Sequence, residues 1–184
     1  MGTRHLIVVT SQNKVKVAQY GQFDGYPSGQ GADILNFILS ANLSEFKNKV
    51  DALSFYTEKE ADKLNPEKNP EISRTTSSEI LNLIYDGKVT KVYNNEVFAA
   101  DGLFCEYCYV LDLDTYKLEV YTGSKTDLTP EDRFYHLMGS VEKDSQYKPV
   151  KKVIEFDMKN PPKVSKFIEE TEMAIEKLYE INRA

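Results

Sequence analysis

Residues 4–20, RHLIVVTSQNKVKVAQY, decide how the fold begins. The arms RHLIVVT (4–10) and KVKVAQY (14–20) are alternating and rich in β-branched residues, and Ser11-Gln12-Asn13 separates them. That pattern predicts a β-hairpin. In the second arm Val15 and Val17 share one face, with Lys14 and Lys16 on the other. The next stretch, GQFDGYPSGQG (21–31), holds four glycines and one proline and reads as an irregular turn. In ADILNFILSANL, Ile34, Leu35, Ile38 and Leu39 recur at helical spacing, so a helix starts just after Gly31.

Further along, Ser44 with Glu45 can begin another helix that buries Phe46, Val50 and Leu53. Residues 57–71, TEKEADKLNPEKNPE, carry eight charged residues and two prolines and read as a solvated, mobile surface excursion. Thr76 and Glu79 have capping-box spacing ahead of Ile80, Leu83 and Ile84, and Gly87 stands where that helix ends. Strand patterns return with KVTKVYN (88–94). LFCEYCYVLDL and YKLEVYT flank Asp114-Thr115 as a second hairpin closed by Gly123. Pro130 opens a short helix (EDRFYHLM), and KPVKKVIEFD (148–157) reads as a last strand. Val164, Phe167, Ile168, Thr171, Ile175, Leu178 and Ile181 mark one stripe of a long C-terminal helix.

Together these elements predict an α+β domain spanning residues 1–184. Its mostly antiparallel sheet has five or six strands built from hairpins, with four or five helices packed outside rather than a βαβ series.

Composition limits the function classes. With 23 basic and 29 acidic residues the chain carries a net charge of −6 and no basic run, so a DNA duplex is not an expected partner. Two cysteines do not make a secreted disulfide scaffold. The apolar run Leu6–Val9 is too short for a signal-peptide core, and no run approaches a membrane span, so the cytoplasm is the expected location and no membrane partner is expected.

The segment 19-QYGQFDGYPSGQG-31 is the candidate ligand site. Gly25 belongs to the same turn, while Gly29 and Gly31 allow the backbone to approach a ligand closely. Beyond them, the first free amides of the helix point toward the loop and suit an anion, and Ser28 belongs to the same candidate set. Tyr20, Phe23 and Tyr26 offer rings for stacking, and Gln19, Gln22 and Gln30 offer edge contacts. Arg4 can add a bidentate contact to an acidic group. The alternative is a plain turn in which Asp24 bonds neighbouring amides and the rings close the core edge. The segment is neither a phosphate loop nor the dinucleotide fingerprint.

Other signals read blandly. Cys105 and Cys108 form C-x-x-C in a strand-like run, where residues three apart face opposite ways, so buried thiols are expected rather than a metal or redox pair. His5 and His136 lack ligand spacing. Asp112 and Asp114, with Glu119 across the hairpin, read as a solvated hairpin tip, and Asp101-Gly102 as a turn. No catalytic set assembles, and no cofactor is implied.

The opening MGTRHL, the run KVAQYGQFDGYPSGQG, and the later FCEYCYVLDLDTYKLEVYTG (104–123) resemble a family of uncharacterised phage and bacterial proteins. That family shares an MGTR start and a YGQ-aromatic-DGYPSGQG segment. Its members often carry Trp before the aspartate, where this chain has Phe23, which keeps a ring but loses an indole donor. The resemblance covers residues 1–39 and 98–123 and brings no activity with it. It implies a phage-type context, hence host cytoplasm, where small ligand-binding proteins disarm host defences.

These readings yield three expectations. The first is a non-enzymatic protein that captures a small anionic, ring-containing, nucleotide-derived molecule and sequesters a host immune signal, with a homodimer as a possible assembly. The second is a hydrolase of N-terminal-nucleophile-like architecture, using Thr3 or the acids Asp24, Asp101 and Asp112. The third is an interaction module that blocks a host protein through the acidic excursion.

Overall fold

The computed structural model describes residues 2–184. Strand β1 (His5–Ser11) is buried along its whole length, which explains the unbroken apolar run of residues 6–9 at its centre. It pairs antiparallel with β2 (Lys14–Gly21), as the opening hairpin predicts. Gln12 and Asn13 form the turn at φ 55° and 56°, the left-handed geometry that a tight hairpin needs. Both of their amides donate to the Asp114 carboxylate at 2.9 Å.

On its other side β1 runs parallel to β5 (Tyr107–Asp112), with Thr10 beside Asp112. Then β6 (Lys117–Ser124) and β7 (Lys148–Asp157) follow antiparallel, giving the order β2-β1-β5-β6-β7. The sheet is therefore mostly antiparallel, with one parallel pair at its centre. The crossover between β2 and β5 carries α1 (Ala32–Ser40), α2 (Leu43–Asp51), the short α3 (Glu58–Ala61) and α4 (Glu79–Tyr85). The long α5 (Val164–Arg183) ends the chain.

Alternation along β1 divides the core. Ile7 and Val9 meet α1, α2, α4 and Phe167 of α5 on one face. Leu6 and Val8 meet Cys105, Cys108, Phe134 and Leu137 on the other. That second face is covered by 3₁₀ turns at Glu96–Ala100 and Tyr135–Ser140.

Four local expectations need correction. The EDRFYHLM stretch is not an α-helix: residues 131–134 form turns and Tyr135–Ser140 a 3₁₀ helix, with Arg133 drawn into the sheet's acids. KVTKVYN contributes only β4 (Lys91–Val92), parallel to the two-residue β3 (Ser54–Phe55). Thr76 does not cap α4; its hydroxyl donates to the Pro70 carbonyl at 2.6 Å, and Ser78 holds the helix start through Gln30. The 57–71 excursion is folded. Thr57 and Glu60 make a capping box on α3, and Tyr56 donates to Glu71 at 2.8 Å.

At the two sheet edges the chain differs. Asn94 and Asn95 close on β2, the Asn95 amide donating to the Ala18 carbonyl at 3.0 Å. Among the described residues no strand lies beside the outer edge of β7, which carries Lys148, Pro149, Lys151 and Lys152 together with two register shifts against β6. Lysine, proline and bulges are the usual means of blunting edge pairing. No helix among the described residues is long and apolar enough to cross a membrane.

Candidate functional site

The Gln19–Gly31 segment wraps around a buried histidine. The His5 imidazole is fully buried, with Nδ1 3.3 Å from the Thr3 carbonyl. A Cβ placed on Gly21 would fall 2.2 Å from His5 Nε2, and one on Gly25 would fall 2.9 Å from His5 Cβ. Burial lowers the His5 pKa to about 4, so the ring is neutral near pH 7.

The remaining glycines serve the turn itself. On Gly29 a Cβ would meet the Asp24 carbonyl at 2.4 Å, and on Gly31 it would meet Tyr109 Oη at 2.9 Å. The close approaches expected for a ligand are therefore made to the protein's own atoms. Most of the turn's amides are also used internally. Gly25 donates to Thr3, Gly29 and Gly31 to Tyr26, Gln30 to Asp24, and Ala32 to Gly29. This corrects the expectation of an open anion cradle at the start of α1, because a helix N-terminus binds anions only through amides left unpaired.

The expected site residues separate onto two sides. Phe23 and Tyr26 are exposed, as are Asp24 (at φ 58°) and Ser28. Tyr26 packs obliquely on Tyr107 with ring centroids 5.9 Å apart. Arg4 lies over Phe104, 4.4 Å from the ring centroid, and its amide donates to Glu106 at 2.8 Å. The glutamines turn the other way. Gln30 Oε1 accepts from the Ser78 amide at 2.9 Å and from its hydroxyl, and Gln22 Oε1 accepts from Tyr20 at 2.5 Å.

Gln19 differs from both. Its side chain is 2% exposed, and Nε2 donates to the Ser73 carbonyl at 3.2 Å, which fixes which end of the amide is oxygen. Oε1 is buried with no hydrogen-bond partner, as are Arg4 Nε and His5 Nε2 in the same region. A buried acceptor left unpaired is costly, so native proteins rarely keep one without water or ligand to fill it.

Gln19 lines a cleft of about 260 Å³ with Tyr20, Ala61, Asp62, Ile72, Arg74, Tyr93 and Asn95. The cleft forms because the Asn94–Asn95 segment and Arg74 both dock on the end of β2, the Gln22 amide donating to the Arg74 carbonyl at 2.9 Å. The folded excursion supplies the wall at Ala61 and Asp62. Among the described residues, no hydrogen bond or ion pair commits the Arg74 guanidinium, the Asp62 carboxylate or the Asn95 side chain. Thus the cleft holds a free cation, a free acid and a free amide beside two tyrosine rings.

Sequence reading found Gln19 and Tyr20 but missed Arg74, Asp62, Tyr93 and Asn95. The available signal was weak: an arginine in the polar run SRTTSS, and two asparagines ending a strand-like stretch.

A second charged cluster lies at the carboxyl ends of β1 and β5. Arg133 Nη2 donates to Asp112 at 2.8 Å, and Nε and Nη2 donate to Glu119 at 2.8 and 2.9 Å. Tyr121 donates to Glu119 at 2.5 Å. Burial would raise the Asp112 pKa, but Arg133 and the Asp114 and Thr115 amides outweigh it and hold the carboxyl below its ordinary range. Burial, then Glu119, pushes Tyr121 up. Asp112 and Glu119 are buried, not a solvated tip, because Arg133, 21 residues beyond Asp112 and 14 beyond Glu119, returns to pair them.

Cys105 and Cys108 are buried free thiols. Both belong to one apolar cluster, because Cys105 precedes β5 instead of lying within it. Of the residues named for hydrolysis, Thr3 is buried and its carbonyl holds Gly25 and His5, while Asp101 caps the Leu103 and Phe104 amides. No group of three or more metal-binding side chains occurs among the described residues. No family model, curated protein or solved structure matches the chain.

Proposed function

We propose that the protein captures a small anionic, ring-containing molecule, of nucleotide-derived type, in the cleft between β2 and the 61–74 and 93–95 segments. The observation that carries this reading is the cleft itself, where the uncommitted side chains of Arg74, Asp62 and Asn95 stand beside the rings of Tyr20 and Tyr93. Tyr20 and Tyr93 supply flat surfaces for a ring, and Arg74 supplies the charge for a phosphate or carboxylate. Capture needs shape, stacking and fixed polar groups, and the cleft offers those without a nucleophile–base pair. In the phage-type setting that the sequence resemblance implies, such capture would withhold a host signalling molecule.

The test is to denature the purified protein and examine the released small molecules by mass spectrometry. Recovery of one intact ligand per chain supports capture. Recovery of nothing, together with no binding of nucleoside monophosphates added to the refolded or native protein, contradicts it. Turnover of an added nucleotide would assign the protein to the hydrolases instead.

A further inference from the structure

We infer that the free edge of β7 and the adjoining face of α5 pair with the same surface of a second copy of this chain, in an antiparallel two-fold dimer. A groove of about 430 Å³ runs between these two elements. Lys152, Val153 and Ile154 line it from β7. The helix already commits one face to the sheet, where Phe167, Thr171 and Ile175 are buried. Its second apolar row, Met173, Ala174, Leu178 and Ile181, lines the groove at helical spacing. Yet Met173 is 52% exposed and Ile181 65%. An exposed apolar row beside an open strand edge marks a contact surface.

Charge identifies the occupant. Strand β7 is polarised, with Lys148, Lys151 and Lys152 in its first half and Glu155 and Asp157 in its second. Edge lysines deter an unrelated strand, and a parallel copy would set like charges together. An antiparallel copy centred near Ile154 instead lays the lysine half of each strand along the acidic half of the other.

The groove side of α5 has the same symmetry. Glu170 stands one turn before Met173 and Ala174, and Lys177 one turn after them. Two antiparallel helices meeting at Met173 and Ala174 therefore form two Glu170–Lys177 pairs. Lys177 makes no ion pair among the described residues, and Glu170 makes only an exposed one with Lys166 at 3.7 Å. The Lys152–Glu155 pair within β7 is also exposed, so exchanging it for a partner's charge costs little. Because the centres of both charge patterns line one groove, a single two-fold axis serves strand and helix together. The dimer joins two five-stranded sheets edge to edge. Strand β2 lies at the opposite edge, so the Gln19 cleft stays open and the inference stands apart from ligand capture.

Analytical ultracentrifugation of the full chain over a concentration series tests it. The expected mass is that of two chains, falling to one on dilution. Ile181→Glu and Lys177→Glu change exposed side chains, and each should weaken dimerisation by about tenfold or more. Circular dichroism checks that both variants keep the fold. Adding Glu170→Lys to Lys177→Glu reverses both charges and should restore the dimer, which a loss of packing alone would not allow. A single-chain mass at every concentration overturns the inference, whether the groove is bare or holds a strand of another protein. A dimer that both single variants leave intact also overturns it, since the contact then lies elsewhere.

Discussion

The Tyr109 hydroxyl donates to the Gly25 carbonyl at 2.7 Å, joining the centre of strand β5 to the middle of the Gln19–Gly31 turn. Both groups are buried, and Tyr109 is among the largest fully buried side chains. The turn is thus fastened to the sheet from beneath, by Tyr109 and by His5. Tyr109→Phe removes the donor and leaves a buried carbonyl unpaired, which should cost about 1–3 kcal/mol in urea unfolding. An unchanged midpoint would mean that the turn is held without this bond.

Glycine positions in the turn should respond to their own surroundings. Gly21→Ala places a methyl group 2.2 Å from His5 Nε2, and Gly29→Ala places one 2.4 Å from the Asp24 carbonyl. Each should destabilise by roughly 1–3 kcal/mol, in the range of core overpacking. Gly139→Ala is the control, because nothing lies within 4 Å of the added atom. Thermal melts of the three variants decide whether the glycines serve packing.

His5 gives the protein a defined acid sensitivity. Its folded pKa is about 4 against 6.5 in the unfolded chain, so below pH 6.5 the unfolded state takes a proton that the folded state refuses. The neutral-ring stability is complete above pH 6.5, is lost as pH falls from 6.5 to 4, and changes no further below that. The full loss is about 3 kcal/mol. Urea titrations of wild type and His5→Gln at pH 7, 5.5 and 4 measure it. The two curves should converge on acidification, and parallel curves would remove His5 as the cause.

Arg133→Leu leaves Asp112 and Glu119 facing each other without their cation. Those carboxylates are largely buried, but the arginine is 28% exposed, so the expected loss is about 2–3 kcal/mol at pH 7. The loss should shrink on acidification, as the Asp112 carboxyl that Arg133 holds below its ordinary range in the wild type takes up a proton in the variant. A loss independent of pH would point to lost packing alone.

The architecture was legible because its strands and long helices carry strong periods. β1, β2, β7 and α5 lie within a residue or two of where alternation and the Val164–Ile181 stripe place them. The parallel pairing of β1 with β5 was not legible, since hairpin reasoning pairs neighbours and β5 lies across a long crossover. The turn was recognised as special, but its glycines were assigned to a ligand. Only the folded chain shows that Gly21 and Gly25 close on His5, while Gly29 and Gly31, the two assigned to a ligand, close on the Asp24 carbonyl and on Tyr109. The cleft itself was hidden for the same reason. Gln19, Asp62, Arg74 and Asn95 come from four segments, and no local pattern joins them.

Ligand retention in two arginine variants separates the cleft from the turn most directly. Arg74 stands uncommitted at the cleft, whereas Arg4 rests on Phe104, away from Gln19's cleft lining. Each purified variant is denatured, and the released nucleotide is quantified beside wild type. If the cleft holds the anion, Arg74→Ala releases little or none and Arg4→Ala releases as much as wild type. Full release from Arg74→Ala, with loss in Arg4→Ala, would contradict the cleft and return the site to the exposed rings around Tyr26.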